Sequence, residues 1–314
     1  MTLILSEEDV RSLLDMDEVV ATVEEAFRRE GVGEAINSMR TRSREPASVL
    51  NVMHATLPYL RRGGLKVYMS SRSGTKFVFI LFDSSDSTPL AIMGADYLGR
   101  FRTGAASGVA TKHLYRKKSG TLAVLGSGRQ ALTQALAIRS AMTVEEAKVW
   151  SPNPIHCKEF SKVLRDAGFK ASACDTPGLA LEGTDVACSI TSSREPFITK
   201  EMLGAIYHLN ICGGNVPGHA EITAAALSVF GTVVVDDLPQ AKMEYGDLIQ
   251  AARGGSFTWD SAVELGSIVA GKAKPRGRTL FKSGGAAVED VAVASMLYDK
   301  ATNSGKPYPS VELL

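Results

Sequence analysis

Cysteine is scarce. The four in 314 residues, Cys157, Cys174, Cys188 and Cys212, form no C-x-x-C pair and have no histidine cluster beside them. That spacing argues against a zinc site and leaves the four as reduced thiols in a core, so no metal is expected. An excess of charge of one sign is also missing. Lys+Arg number 35 against Asp+Glu 34, a formal net charge of +1, so no net field draws the chain to nucleic acid or another polyanion. Long apolar runs are absent too: the longest nearly continuous one, Thr223 to Val235, is too short for a membrane span and is broken by Gly231. The opening MTLILSEEDV has no basic region before its apolar residues and no small-residue cleavage site. The expectation is a chain with no leader and no membrane partner, working in the cytoplasm. No G-x-S-x-G, H-E-x-x-H or P-loop lysine motif occurs, which removes support for hydrolase, zinc-peptidase and nucleotide-triphosphatase readings.

What is present is an ordinary globular balance, 45% apolar and 22% charged, in a length that suggests about two domains. Ser6 ahead of Glu7, Glu8 and Asp9 has the form of a cap and opens a short helix. Asp17 reads as the cap of a second helix, which places Val20, Val23 and Phe27 on one face and ends at Gly31. Between Ser38 and Asp96 the pattern changes to short strands, VLNVM, LKVYMS, KFVFILFD and PLAIMGAD, which predict a mostly antiparallel or mixed sheet. RTGAASGVATKHLY, Arg102 to Tyr115, predicts a helix whose small side chains permit close packing. From Gly120 to about Leu280 strands and helices alternate, the signature of an α/β fold with a doubly wound parallel sheet of Rossmann type. A last helix, about 286–301, is rich in Ala and Val and is expected to return to the first domain. The expected division is residues 1–116, completed by about 286–314, and residues 117–285.

The strongest local signal is TLAVLGSGRQALTQALAI, in which an apolar strand runs through Gly126, Ser127, Gly128, Arg129, Gln130 and Ala131 into a helix. This is the GxGxxA form of the dinucleotide fingerprint: a tight turn at Gly126, backbone approach to a pyrophosphate at Gly128, close helix-to-strand packing at Ala131. The second strand ends in Ser151 where an acid would bind the ribose 2′-hydroxyl of NAD, while Arg129, His156 and Lys158 can neutralise a 2′-phosphate or lie as solvated charges. NADP(H) is therefore favoured, with NAD(H) the alternative. Thr191, Ser192 and Ser193 stand at the carboxyl end of the fourth strand, where hydroxyls either touch the cofactor or cap a turn.

Arg40, Lys66 in GGLKVYMSS and Arg102 in GRFRTGAASG stand among apolar or small neighbours, a placement that suggests an anion site. An arginine can clamp a substrate carboxylate in bidentate fashion, and Lys66 can hydrogen-bond or protonate a reacting nitrogen or oxygen. Composition alone favours a surface side chain for each taken singly. His54, His113, His208 and His219 read as surface or satisfied histidines.

With GGLKV, FRTGAASGVATKHL, VLGSGRQA, ICGGNVPGHAEI, VVVDDLPQAK and FKSGGAAVEDVAVASMLYDKA in this order, the chain resembles the ornithine cyclodeaminase/mu-crystallin family over nearly its whole length. The resemblance implies a Rossmann domain plus a substrate-binding and dimerisation domain built from both ends of the chain, and hence a homodimer. It also implies that Lys66 and Arg102 match the family's substrate-binding lysine and arginine, with Arg40 matching a second carboxylate-binding arginine. Cyclodeaminases of the family carry an acid where this chain has Asn215, and an amide cannot act as a carboxylate base. Asp236 and Asp237 can supply an acid instead or merely cap the end of a strand. The expected activity is an NAD(P)-dependent oxidoreductase of a small α-imino or α-amino acid, first a reductase of ketimines or cyclic imines of the pyrroline-2-carboxylate type. Lys66 and Asn215 are the expected catalytic residues. Ornithine cyclodeaminase, an alanine-type dehydrogenase and a non-catalytic NADPH- and ligand-binding protein are the alternatives.

Overall fold

A computed structural model describes residues 1–313. The chain divides into two compact units, residues 1–102 together with the chain from Ala286 onward, and residues 103–285.

The first unit opens with a strand, β1 (Thr2–Leu5), and two helices, α1 (Glu7–Leu13) and α2 (Met16–Gly31). Ser6 and Asp9 close a capping box on α1, each side chain taking the other's backbone N–H at 3.2 Å. On α2 the cap is Asp15 rather than the expected Asp17. Asp15 has the extended backbone a cap needs (φ −123°, ψ 134°), and its Oδ1 accepts the Glu18 N–H at 3.1 Å, while Asp17 sits among the first-turn acids. Six strands follow: β2 (Ile36–Asn37), β3 (Thr41–Arg44), β4 (Ser48–Leu57), β5 (Arg62–Ser71), β6 (Gly74–Asp83) and β7 (Pro89–Gly94). They pair in the order β1-β7-β6-β5-β4-β2, with β3 also on β4; β1 and β7 are parallel and the other neighbours antiparallel. The sheet is thus mixed. Period-2 alternation buries Met53, Lys66 and Phe79, which are cross-strand partners on β4, β5 and β6.

Helix α3 (Asp96–Leu114) crosses the division after Arg102. In the second unit it is followed by β8 (Ser119–Leu125), α4 (Ala131–Ala141), β9 (Thr143–Trp150), α5 (Pro154–Asp166), β10 (Ala171–Ala173), α6 (Pro177–Leu181), β11 (Val186–Ser189) and β12 (His208–Ile211). Then come α7 (Ala224–Leu227), β13 (Thr232–Val235), α8 (Leu238–Glu244), α9 (Gly246–Arg253), β14 (Ala262–Glu264), α10 (Leu265–Val269) and β15 (Thr279–Lys282). All eight strands are parallel, ordered β10-β9-β8-β11-β12-β15-β13-β14. On β8, Leu122 and Val124 enter one hydrophobic cluster and Ala123 and Leu125 another, so the sheet is buried on both faces. The strand order reverses between β8 and β11, the topological switch point where open α/β sheets bind ligands. The division at 102/103 lies earlier than the expected 116/117. The reason is packing: a Cβ at Gly104 or Gly108, one helical turn apart, would collide with the backbone of Thr133 or Ala137, so α3 from Thr103 lies backbone-close on α4.

From Ala286 the chain is again part of the first unit, as α11 (Ala287–Asn303) and β16 (Ser310–Val311), the latter antiparallel to β1. Asn37 Oδ1 accepts the N–H groups of Ala287 at 2.8 Å and Val288 at 3.2 Å, and Glu289 accepts that of Ala286 at 2.9 Å. The start of α11 is therefore fixed from β2 as well as from within. Helix α11 is buried over most of its circumference, packed on α2 and on β4 and β5, which is why its apolar residues show no single stripe. Among the described residues no helix is long and apolar enough to cross a membrane.

Candidate active site

The first unit gathers the three cations singled out above. Arg40 precedes β3, Lys66 points from the buried face of β5, and Arg102 stands on α3; all three are buried, as are Glu289 and Asp290 in the first turn of α11. Lys66 Nζ donates to both oxygens of Asp290 at 2.7 Å. Arg102 lies 2.9 Å from Asp290 through Nε and donates to Glu289 through NH1 at 2.9 Å. Burial pushes the Lys66 ammonium down to about 7, helped by the charges of Arg102 and Arg40 and opposed by Asp290. A lysine that titrates near neutrality in a nest of arginines is suited to hand a proton to a bound anion's neighbouring atom. Glu289 and Asp290 were not singled out in the sequence. Their signal is the one that picked the cations: charge among small and apolar neighbours, GAAVEDVAV.

In the second unit the fingerprint has the geometry its glycines require. Gly126 has φ +118°, and an added Cβ would stand 2.6 Å from the Ile190 carbonyl oxygen. A Cβ at Gly128 would meet no protein atom within 4 Å, so packing within the chain does not call for glycine there and the backbone stands open on that side. Gln130 gives α4 no side-chain cap, and an eleven-residue helix starting there presents N–H groups and its positive end to an anion. Ala131 is fully buried, while Gly128 and Arg129 are exposed. Ser127 Oγ donates to Ser151 Oγ at 2.8 Å, joining the fingerprint to the end of β9. These residues fit a dinucleotide.

Beyond the switch point the loops are held by a buried network that sequence reasoning missed. Glu221 accepts from Ser189 Oγ (2.5 Å), Thr191 N (2.8 Å), Thr191 Oγ1 (2.7 Å) and Gly213 N (2.8 Å). Asp247 accepts the N–H groups of Glu221 (2.5 Å) and Ile222 (3.0 Å) and pairs with Lys282 at 2.9 Å, whose Nζ also donates to the Gly213 carbonyl at 2.6 Å. Burial holds the Glu221 carboxyl above its ordinary range, against the pull of Lys282. Burial opposes the Lys282 charge, but Asp247 and Glu221 outweigh it and raise its pKa. Thr191 holds a turn: its hydroxyl hydrogen goes to Glu221, and its oxygen accepts the Ser193 N–H at 3.2 Å. Ser192 is exposed, and Asn215 is half-buried in the loop that Gly213 anchors. Asp237 caps α8 by accepting the Gln240 N–H at 2.6 Å, and Asp236 accepts the hydroxyls of Ser283 and Tyr245 and the N–H groups of Gly284 and Gly285, so both acids are engaged within the protein. His208 is a satisfied core histidine. It is bonded to Thr279 at 2.9 Å and Asn210 at 3.2 Å, and burial pushes it down to about 4. The four cysteines are free thiols, two buried and two half-buried, and among the described residues no three His, Cys, Asp or Glu side chains gather as a metal site.

The model of the ornithine cyclodeaminase/mu-crystallin family matches residues 1–305. The chain belongs to this family. Within it, the chain is 33% identical over 312 residues to the alanine dehydrogenase of Archaeoglobus fulgidus, covering 96% of this chain and 95% of the relative. The structure of Thermococcus litoralis Delta(1)-pyrroline-2-carboxylate reductase, in complex with NADH and L-proline, superposes with a TM-score of 0.91 at 30% identity, covering 99% of this chain and 100% of that one. An archaeal alanine dehydrogenase dimer with bound NAD superposes with a TM-score of 0.93 at 32% identity over 100% and 99% of the two chains.

Proposed function

We propose that this member of the family is a nicotinamide-dependent reductase of small α-imino acids, with cyclic imines of the pyrroline-2-carboxylate type as its first substrates. The observation that carries the reading is the buried Lys66, which feels the charges of two buried arginines, Arg102 and Arg40. Arg102 and Arg40 hold the substrate carboxylate, and Lys66 gives a proton to the imine nitrogen as the C=N bond is reduced to CH–NH. When bound at the fingerprint, the dinucleotide supplies the hydride that the imine carbon receives. The nitrogen keeps the former π pair, which takes the Nζ proton, and water returns a proton to Lys66. Asn215 offers hydrogen bonds but no carboxylate, which weighs against an activity that must deprotonate a second amine. The assay is loss of 340 nm absorbance from NADPH and from NADH with pyrroline-2-carboxylate, piperideine-2-carboxylate, and pyruvate plus ammonia. Proline and ammonia from L-ornithine with NAD+, and no imine reduction, would replace this reading by cyclodeamination.

For the cofactor, NADP(H) over NAD(H) is the finer proposal, although the solved relatives hold NADH or NAD. Its support is local. After β9 come Ser151, Pro152 and Asn153, none of them acidic, and Asn153 is committed to capping α5 through the N–H groups of Ile155 and His156. Arg129 is exposed beside the turn. Replacing it by alanine is expected to weaken NADPH binding by about tenfold and NADH binding by less than about twofold in fluorescence titrations, the loss of one charge-assisted contact. Equal weakening of both would remove Arg129 from the 2′-phosphate.

A homodimer in the cytoplasm completes the proposal. The outward face of the first unit's sheet carries the cross-strand row Val52, Val67 and Val78 on β4, β5 and β6 and, beside it, Leu65 with Ile80, and Val78 is 45% exposed. A contiguous apolar face of this kind calls for a second copy. The Val78→Asp variant is expected to run as a monomer in light scattering where the unsubstituted protein runs as a dimer; a dimer that survives the substitution would place the interface elsewhere.

A further inference from the structure

Asp290 cannot attract a substrate carboxylate, yet it lies at the centre of the cation cluster. Both of its oxygens are 2.7 Å from Lys66 Nζ, and Oδ1 is 2.9 Å from Arg102 Nε. Stability is a poor reason for it to be there, because a fully buried ion pair costs as much desolvation as it returns and apolar residues of the same volume do as well. The other groups facing Lys66 all work against a proton on Nζ or leave it alone. Arg102 on α3 and Arg40 before β3 repel the charge. The flanking strands β4 and β6 place Met53 and Phe79 beside Lys66, neither of them titratable. Glu289, the neighbouring acid on α11, is turned to Arg102 and to the Ala286 N–H. The geometry adds direction to charge. An ammonium has three N–H groups. Those that reach the two Asp290 oxygens tether Nζ on the side of the carboxylate. The carboxylate itself is held on a helix start secured by Asn37 and Glu289.

We infer that Asp290 is the positioning residue of the reduction: it holds the Nζ of Lys66 in place and keeps the proton on it in the company of two arginines. The inference rests on the reductase reading proposed above, with the proton going from Nζ to the nitrogen and being restored by water. Because the protonated lysine is the active form, kcat/KM of the unsubstituted enzyme with a cyclic imine falls as pH rises through about 7. In the Asp290→Asn variant this fall is expected at least about one pH unit lower. Its rate would then be down about tenfold or more at pH 7.5 and recover to within a few-fold near pH 5.5, with Asp290→Glu intermediate. A loss of the same size at every pH, or an unshifted profile, overturns the inference and leaves Asp290 a packing residue. Thermal melts and dinucleotide titrations check that each variant is folded. If the Asn variant does not fold, Asp290→Glu carries the test, since moving the carboxylate by one methylene must shift the profile in the same direction by less. An unsubstituted enzyme that reduces no imine at any pH would fail the reductase reading instead. Titration of Lys66 by NMR in the two proteins then tests Asp290 separately: an unchanged Lys66 midpoint overturns its role.

Discussion

Replacing Lys66 by methionine is expected to lower kcat/KM for imine reduction by about 10²- to 10⁴-fold, the range a placed general acid contributes. Methionine suits the site sterically, because Lys66 lies between Met53 and Phe79 on the buried face of the sheet and its stem already occupies apolar space. The chemistry has no such substitute. No other proton donor bonds the two oxygens of Asp290 from β5, and a thioether gives no proton to nitrogen. The fingerprint belongs to the other unit and is untouched, so dinucleotide affinity should stay within about twofold by fluorescence titration. A folded Lys66→Met protein that keeps its rate to within a few-fold would take Lys66 out of the reaction.

Arg102→Met should do two things at once. Its guanidinium bonds Glu289 through NH1 and reaches Asp290 through Nε, and both acids are fully buried. Removing one partner of a buried ionic group costs about 3–5 kcal/mol of stability, because the acids keep their desolvation and lose their partner. Urea unfolding measures that loss. The same guanidinium is proposed to grip the substrate carboxylate, and a charge-assisted bond contributes about 1.5–3 kcal/mol, so KM should rise about 10- to 100-fold. Arg102→Lys, which keeps the charge and loses the planar fork, should recover part of the stability and little of the KM. A stability loss without a KM change would make Arg102 a structural partner of α11 and nothing more.

Much of this was legible in the sequence because the physics is local. The mixed sheet followed from period-2 strands, the parallel sheet from strand–helix alternation, and the fingerprint from glycines of which Gly126 shows the tight turn expected of it. The cap of α2 slipped by two residues because Asp15 and Asp17 are chemically equivalent and only backbone geometry separates them. The division of the chain was placed at the composition change after α3, whereas the packing of Gly104 and Gly108 against α4 decides it. The acids were the larger omission. Lys66 and Asp290 are 224 positions apart, and nothing in EDVAV says which of its acids will meet a lysine. Glu221 and Lys282 escaped for the same reason: a residue's burial can be read from its neighbours in the chain, but its partner is set by the fold.

The most direct test of the central claim, that the chain moves hydride onto an imine carbon, is isotopic. The enzyme is given pyrroline-2-carboxylate with dinucleotide deuterated at C4 of the nicotinamide, on one face and then on the other. The product is then read by mass and NMR. Proline carrying one deuterium at Cα is expected from one of the two labelled forms and none from the other. Proline without label from either form, or no proline while both labelled forms bind, would contradict it.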